Sequence, residues 1–256
     1  MKITIYGAGV FGTSLGQILE RNGHEVLYYA PKNGISQKSA LKFPEIIVLA
    51  VPSDAVKKVV KKLPKEKPLI VATKGILSLA PFKNQKVAFL SGGAFAAELD
   101  AHQKTILTAT DSLIPELFET SWLKFELTPD RLGVILCGAL KNIYAIYAGL
   151  QNVAASPEKT ADLIKRTAAE MREILKLNGA DPKTVDLACG LGDLKTTFSP
   201  SSRNYRFGQK LSQNPNFLPS ETTEGLTAIR ALPKTAIKIP ASLPILENIL
   251  ELLETQ

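Results

Sequence analysis

Six residues near the N-terminus, Gly7-Ala8-Gly9-Val10-Phe11-Gly12, form a GxGxxG. They follow a short apolar run, residues 2–6, and precede a helical pattern over Thr13 to Asn22 with Leu15, Ile18 and Leu19 on one face. In that context Gly7 allows a tight turn, Gly9 lets the backbone approach a pyrophosphate, and Gly12 permits close helix–sheet packing. The helix start offers N–H groups and a positive dipole end to phosphates. The next strand, Val26 to Tyr29, leads into Ala30-Pro31-Lys32-Asn33. No acid stands there to accept from ribose hydroxyls, and Lys32 suits a 2′-phosphate, so the turn favours NADP, with NAD as the alternative. Lys32 reads equally as a solvated loop lysine.

Three later segments put polar residues where an apolar core would reject them. Ala72-Thr73-Lys74-Gly75 places Lys74 just after a buried strand, facing the crevice at the carboxyl end of a parallel sheet. Residues 132–150 are apolar except for Lys141 and Asn142 at the centre. Inserting that lysine in a bilayer would cost about 2.5–3.5 kcal/mol. The segment therefore reads as a buried helix with a functional lysine, and burial lowers an ammonium pKa towards that of a proton carrier. Gly190-Leu191-Gly192-Asp193, followed by Thr196, Thr197, Ser202, Arg203 and Asn204, gathers an acid, hydroxyls and a guanidinium. Arg203 suits bidentate phosphate binding, and Asp193 suits holding Lys141.

The elements that must position these residues change character at Pro129. Before it, strand patterns at 2–6, 26–29, 46–51, 69–72, 87–90, 105–109 and 124–127 alternate with helical ones at 53–63, 94–99 and 112–120. This predicts a doubly wound, mostly parallel α/β sheet of Rossmann type. After it no strand pattern is convincing, and helices are expected over 130–150, 158–177, 222–232 and 243–254. The division is an α/β domain over 1–127 and an all-helical domain over 128–256. Lys57, Lys58, Lys61 and Lys62 recur at helical spacing and read as a solvated face.

Composition limits the alternatives. With 256 residues, 45% hydrophobic and 21% charged, the chain has the balance of a globular protein. Its formal charge of +7 suits an anionic ligand without identifying one. Two distant cysteines, Cys137 and Cys189, and two histidines provide neither a disulfide framework nor a metal set. The N-terminus lacks the pattern of a signal peptide, so a cytoplasmic location is expected. Neither a nucleic-acid nor a membrane partner is expected.

Together the segments carry a resemblance. GAGVFG, AVPS (50–53), ATKGI (72–76), SGGAFAAEL (91–99), GALKNIYAIYAGL (138–150), GLGDL (190–194), SSRNYRFG (201–208) and Glu224-Gly225 stand in the order of the bacterial NAD(P)-dependent glycerol-3-phosphate dehydrogenases. The resemblance implies a Rossmann domain, a helical domain and a homodimer. It implies reduction of dihydroxyacetone phosphate to sn-glycerol 3-phosphate for glycerophospholipid synthesis. Lys141 matches the proton-transferring lysine, with Asp193 beside it, and Lys74 matches one that touches both cofactor and substrate. Gly92, Asn142, Thr197, Ser202, Arg203 and Asn204 match substrate contacts, Arg203 also lying near the cofactor. Val10, Phe11, Ala96 and Glu224 match cofactor contacts.

Two departures stand out. Only some fourteen residues separate Pro31 from Glu45, so the family's intervening helix and strand are expected to be missing. Ala94 stands where the family has a hydroxyl. Two alternatives follow: a non-catalytic or weakly active dinucleotide-binding homologue, and a reductase of another small 2-oxo or 3-hydroxy substrate.

Overall fold

A computed structural model describes residues 1–32, 34–217 and 223–254. Its contacts divide the chain into two compact units, one of residues 1–73 and 79–131, the other of residues 74–78 and 132–256.

The first unit is built on seven strands: β1 (Lys2–Tyr6), β2 (Glu25–Tyr29), β3 (Ile46–Leu49), β4 (Leu69–Val71), β5 (Val87–Ser91), β6 (Thr105–Ala109) and β7 (Leu123–Leu127). Their order is β2-β1-β3-β4-β5-β6-β7, and every pair is parallel except β5 with β6. All side chains of β3 and β4 are buried, as expected for strands covered on both faces. The covering helices are α1 (Val10–Arg21), α2 (Gln37–Lys42), α3 (Val56–Val60), α4 (Ala96–Asp100) and α5 (Leu113–Phe118). One core cluster joins Ile3, Ile5, Leu15, Leu19, Val48, Ile70, Leu90, Ala94 and Leu107. The strand order reverses at β1, so the glycine turn at its carboxyl end sits at the topological switch point.

Two sequence readings are revised. The segment after β2 does hold a helix, the short α2, whose Ser36 cap accepts from Ser39 N at 3.1 Å. Gln37 Nε2 donates to Tyr6 Oη at 2.7 Å and ties this segment to β1. No strand forms there among the described residues, which leaves β2 at the sheet edge. The expected helix over 53–63 is a 3₁₀ turn, Ser53–Ala55, followed by α3, which ends well short of Pro64.

The second unit has no strand among its described residues. Its helices are α6 (Arg131–Leu150), α7 (Pro157–Leu177), α8 (Asp193–Thr197), α9 (Arg203–Gln213), α10 (Glu224–Ala231) and α11 (Pro244–Glu254). Helix α6 is long and apolar enough to cross a membrane, yet 89% of its most apolar window is buried within the protein. It is the central helix of this unit. Glu170 of α7 secures it by accepting from Tyr144 Oη at 3.0 Å and from the N–H groups of Ile245 and Leu246 at the start of α11. Burial beside that carboxylate pushes the Tyr144 pKa up.

Helix α9 is absent from the sequence reading because its composition is polar. Asn204, Phe207, Gly208 and Leu211 nonetheless form one buried stripe, with Tyr205 buried at its flank. Gly149 and Gly208 set the approach of α6 and α9. A Cβ on Gly149 would overlap the Tyr205 carbonyl, and one on Gly208 would overlap that of Ile146.

Candidate active site

In the first unit the three glycines of the turn have three different surroundings. Gly7 has φ +113°, and a Cβ there would strike Ala50 of the neighbouring strand connection. Its N–H and that of Ala8 both donate to Tyr29 O, at 2.9 and 3.0 Å, which ties the turn to the end of β2. Gly12 lies against Ile5 and Ala50. Gly9 has nothing within 4 Å of its missing Cβ. It is also the N-cap of α1, whose first turn has neither a side-chain cap nor an acid. Val10 beside it is 74% exposed. An open helix start of twelve residues with no competing carboxylate fits a dinucleotide diphosphate. Lys32 is exposed just beyond β2; the neighbouring Asn33 lies outside the described residues.

Gly92, at φ +145°, cannot carry a side chain because its Cβ would meet Leu107. The Ala94 methyl belongs to the apolar cluster of this unit, and Ala96 opens α4 half-buried. A hydroxyl at position 94 would therefore need a polar partner in a core that is otherwise apolar.

In the second unit, Lys141 stands at the middle of α6, only 5% exposed. Its Nζ donates to Asp193 Oδ1 at 3.0 Å and to Thr197 Oγ1 at 3.0 Å. Thr197 Oγ1 in turn donates to Asp193 Oδ1 at 3.2 Å. Lys74 Nζ donates to the other carboxylate oxygen, Oδ2, at 3.2 Å. Two ammonium groups thus share one carboxylate that is 1% exposed, leaving one net positive charge. Residues 74–78, which carry Lys74, group with this second unit.

Local structure explains the position of Asp193. A π-helical turn, Ala188–Gly192, leads directly into α8, which Asp193 begins. Gly190 fits that turn because a Cβ there would overlap the Val185 carbonyl. Such turns interrupt regular helix and recur at functional positions. The Lys141 pKa is lowered to about 8: burial is the largest cause, Asp193 opposes it, Lys74 adds to it and Glu224 opposes it. Lys141 is therefore charged at neutral pH yet ready to release a proton, and only two of its three N–H donors are engaged among the described residues.

Other residues singled out by sequence have further partners. Asn142 Nδ2 donates to Gly138 O at 3.0 Å, and its Oδ1 accepts from Asn204 Nδ2 at 2.8 Å. Asn204 Oδ1 accepts from Gly225 N at 2.9 Å. This ladder links α6, α9 and α10, and Gly225 makes it possible by packing on the Asn142 carbonyl. Ser202 caps α9 by accepting from Tyr205 N. Arg203, the first residue of that helix, is exposed. Sequence reading missed the action of Glu224 on Lys141 and the bridging by Thr197. The Thr197 signal was its spacing, one turn after Asp193.

Residues 130–256 match the family model of the NAD-dependent glycerol-3-phosphate dehydrogenase C-terminus. Glycerol-3-phosphate dehydrogenase, NAD(P)+, of Staphylococcus carnosus is 30% identical over 264 aligned positions, covering 83% of this chain and 80% of that protein. The chain belongs to the glycerol-3-phosphate dehydrogenase family. The family member of Chlorobium phaeobacteroides is 29% identical over 310 positions, covering 99% of this chain and 93% of its own. That alignment is longer than the 256-residue chain, so the relative carries segments that this one lacks. Among solved structures, glycerol-3-phosphate dehydrogenase of Coxiella burnetii has the same fold, with a TM-score of 0.82 at 24% identity over 99% of this chain and 94% of its own.

Proposed function

We infer that this family member is an oxidoreductase that uses NAD(P)H to reduce dihydroxyacetone phosphate to sn-glycerol 3-phosphate. The observation that carries the reading is the buried Lys141 ammonium, held between Asp193 and Thr197 with its pKa brought to about 8. The bound nicotinamide would supply a hydride to the carbonyl carbon. Lys141 supplies the proton that the ketone oxygen then needs, and its charge stabilises the developing alkoxide. Asp193 and Thr197 keep the ammonium aimed, so no reorganisation is required during the reaction. Lys74 adds a second positive charge on the same carboxylate. The reverse reaction needs the neutral amine as base, which the lowered pKa makes accessible.

Arg203 is the phosphate ligand in this reading. It sits at the start of α9, whose N-terminal dipole also favours an anion, and the Ser202 cap and the Asn142–Asn204 link fix that start. Phosphate binding then positions the carbonyl for reaction. Gly7, Gly9, Val10, Phe11 and Gly12 hold the cofactor diphosphate, and Lys32 tilts the preference towards NADP. Supply of a phospholipid precursor, a cytoplasmic location and a homodimer complete the proposal; sedimentation velocity tests the last.

The deciding assay follows NADPH and NADH oxidation with dihydroxyacetone phosphate, with dihydroxyacetone and with no ketone. Turnover of the phosphorylated ketone alone supports the reading. Absence of turnover with either nucleotide leaves a dinucleotide-binding homologue, and turnover of unphosphorylated 2-oxo compounds leaves a different reductase.

A further inference from the structure

The charge of this protein is concentrated in one segment. Residues 54–86 hold nine lysines and two acids, Asp54 and Glu66, for a formal +7, which equals the charge of the whole chain. The remaining residues, 22 basic and 22 acidic, balance. Two of the nine lysines have internal work: Lys67 donates to the carbonyls of Leu41, Lys42 and Pro44, and Lys74 pairs with Asp193. The others are exposed, and none of their side chains has a hydrogen-bond or ion-pair partner among the described residues.

Their densest group lies on α3 and the turn after it. Val56, Val60 and Leu63 are buried beneath, while Lys57, Lys58, Lys61 and Lys62 rim a surface hollow with Asp54. Lys83 follows the 3₁₀ turn Ala80–Phe82, which packs on α3. Lysines four apart on a helical turn repel, and the one carboxylate at the hollow, Asp54, cannot balance four ammonium groups. An external anion would.

We propose that this face adsorbs to an anionic lipid surface. Residues 54–86 contain no arginine, tyrosine or tryptophan, and their one phenylalanine, Phe82, is buried. Forked guanidinium contacts and base stacking, the means of reading nucleic acid, are therefore missing. A field of compact point charges suits a sheet of lipid phosphates. No large apolar side chain is exposed in the segment, so adsorption is electrostatic and shallow, without insertion. The inference does not depend on the catalytic reading.

The test is co-sedimentation of the full chain with vesicles. Wild-type protein is expected on vesicles containing phosphatidylglycerol at low ionic strength, but not on phosphatidylcholine alone, and high salt should release it. The variant Lys57→Gln, Lys58→Gln, Lys61→Gln, Lys62→Gln should bind at least about a hundredfold more weakly. Its melting temperature should be no lower than wild type, because the removed charges repelled one another. If it does not fold, the paired variants Lys57→Gln/Lys61→Gln and Lys58→Gln/Lys62→Gln give the same readout. Failure of the wild type to bind anionic vesicles, or undiminished binding by the variants, overturns the proposal. So does binding to single-stranded RNA that is tighter than to vesicles at equal phosphate concentration, which would assign the face to nucleic acid.

Discussion

The glycine turn of the first unit and the Lys141 cluster of the second are opposite solutions to binding charged groups. The turn works by removing atoms: Gly9 leaves open space and α1 leaves its first N–H groups without a side-chain cap. The cluster works by adding charge where water is excluded, with two ammonium groups on one buried carboxylate. The first tolerates little steric change at Gly7 and Gly12, where protein atoms crowd the missing Cβ, and it contains no titratable side chain. The second depends on protonation, because burial has already moved the Lys141 pKa to about 8. Substitutions in the two regions should therefore fail in different ways.

The largest effect is expected at Lys141. Lys141→Met keeps the length and apolar stem in a site that is 5% exposed. The protein should fold and bind NADPH, while kcat falls by about 10²–10⁴-fold, the usual loss for a general acid. Circular dichroism, fluorescence titration and kinetics on one sample separate these outcomes, and near-normal kcat would sink the proton-donor role. Asp193→Asn should instead cost stability, about 3–5 kcal/mol, because Lys141 and Lys74 lose the carboxylate they share. Urea unfolding measures that loss.

Next come the glycines, which sharpen the contrast. Gly7→Ala forces a side chain into a left-handed position against Ala50 and should disturb the turn itself, lowering the melting temperature. Gly9→Ala meets no protein atom within 4 Å, so stability should hold while the Kd for NADPH rises. A Gly9→Ala protein with unchanged NADPH affinity would remove the diphosphate from that position.

Arg203→Lys keeps the charge and loses the fork. The KM for dihydroxyacetone phosphate should rise about tenfold, the equivalent of one hydrogen bond to a charged group, with kcat less affected. An unchanged KM would move the phosphate elsewhere. A pH profile gives a smaller, continuous effect. Ketone reduction needs the Lys141 proton, so its rate should fall as pH rises through about 8, and alcohol oxidation should rise over the same range. Parallel profiles in both directions would contradict the assignment. The smallest effect belongs to Lys32→Ala, an exposed position, where any NADPH preference should narrow by a few-fold, about 1 kcal/mol or less; Kd values for NADPH and NADH check it.

Periodicity and the position of glycine settled much of the first unit in advance. The alternation of buried strands with helical patterns implied a largely parallel sheet, and the turn after β1 was legible because its glycines act through the local backbone. The absence of strands among the described residues beyond 130 was legible for a similar reason: strand periodicity is missing there. The resemblance to the family rested on short motifs, and the family assignment agrees with it. Helix α9 escaped because its buried stripe of Asn204, Phe207, Gly208 and Leu211 has only two large apolar residues within a polar segment, and α2 because it is short and lies in a connection with little apolar content.

Lys141, Asp193 and Arg203 could be named from residue type, and Asp193 as a partner for Lys141, but Lys74 on the second carboxylate oxygen and the bridging Thr197 could not. Asp193 lies 52 residues from Lys141 and 119 from Lys74, and only folding brings both lysines to its one carboxylate. The same holds for the Asn142–Asn204–Gly225 ladder, which exists because Gly149 and Gly208 let α6 and α9 approach closely. Sequence determined what sits on one element, since backbone geometry repeats every two or 3.6 residues. Tertiary structure decided which charges share a buried space, because Coulomb energy and desolvation depend on distance and burial rather than on separation along the chain.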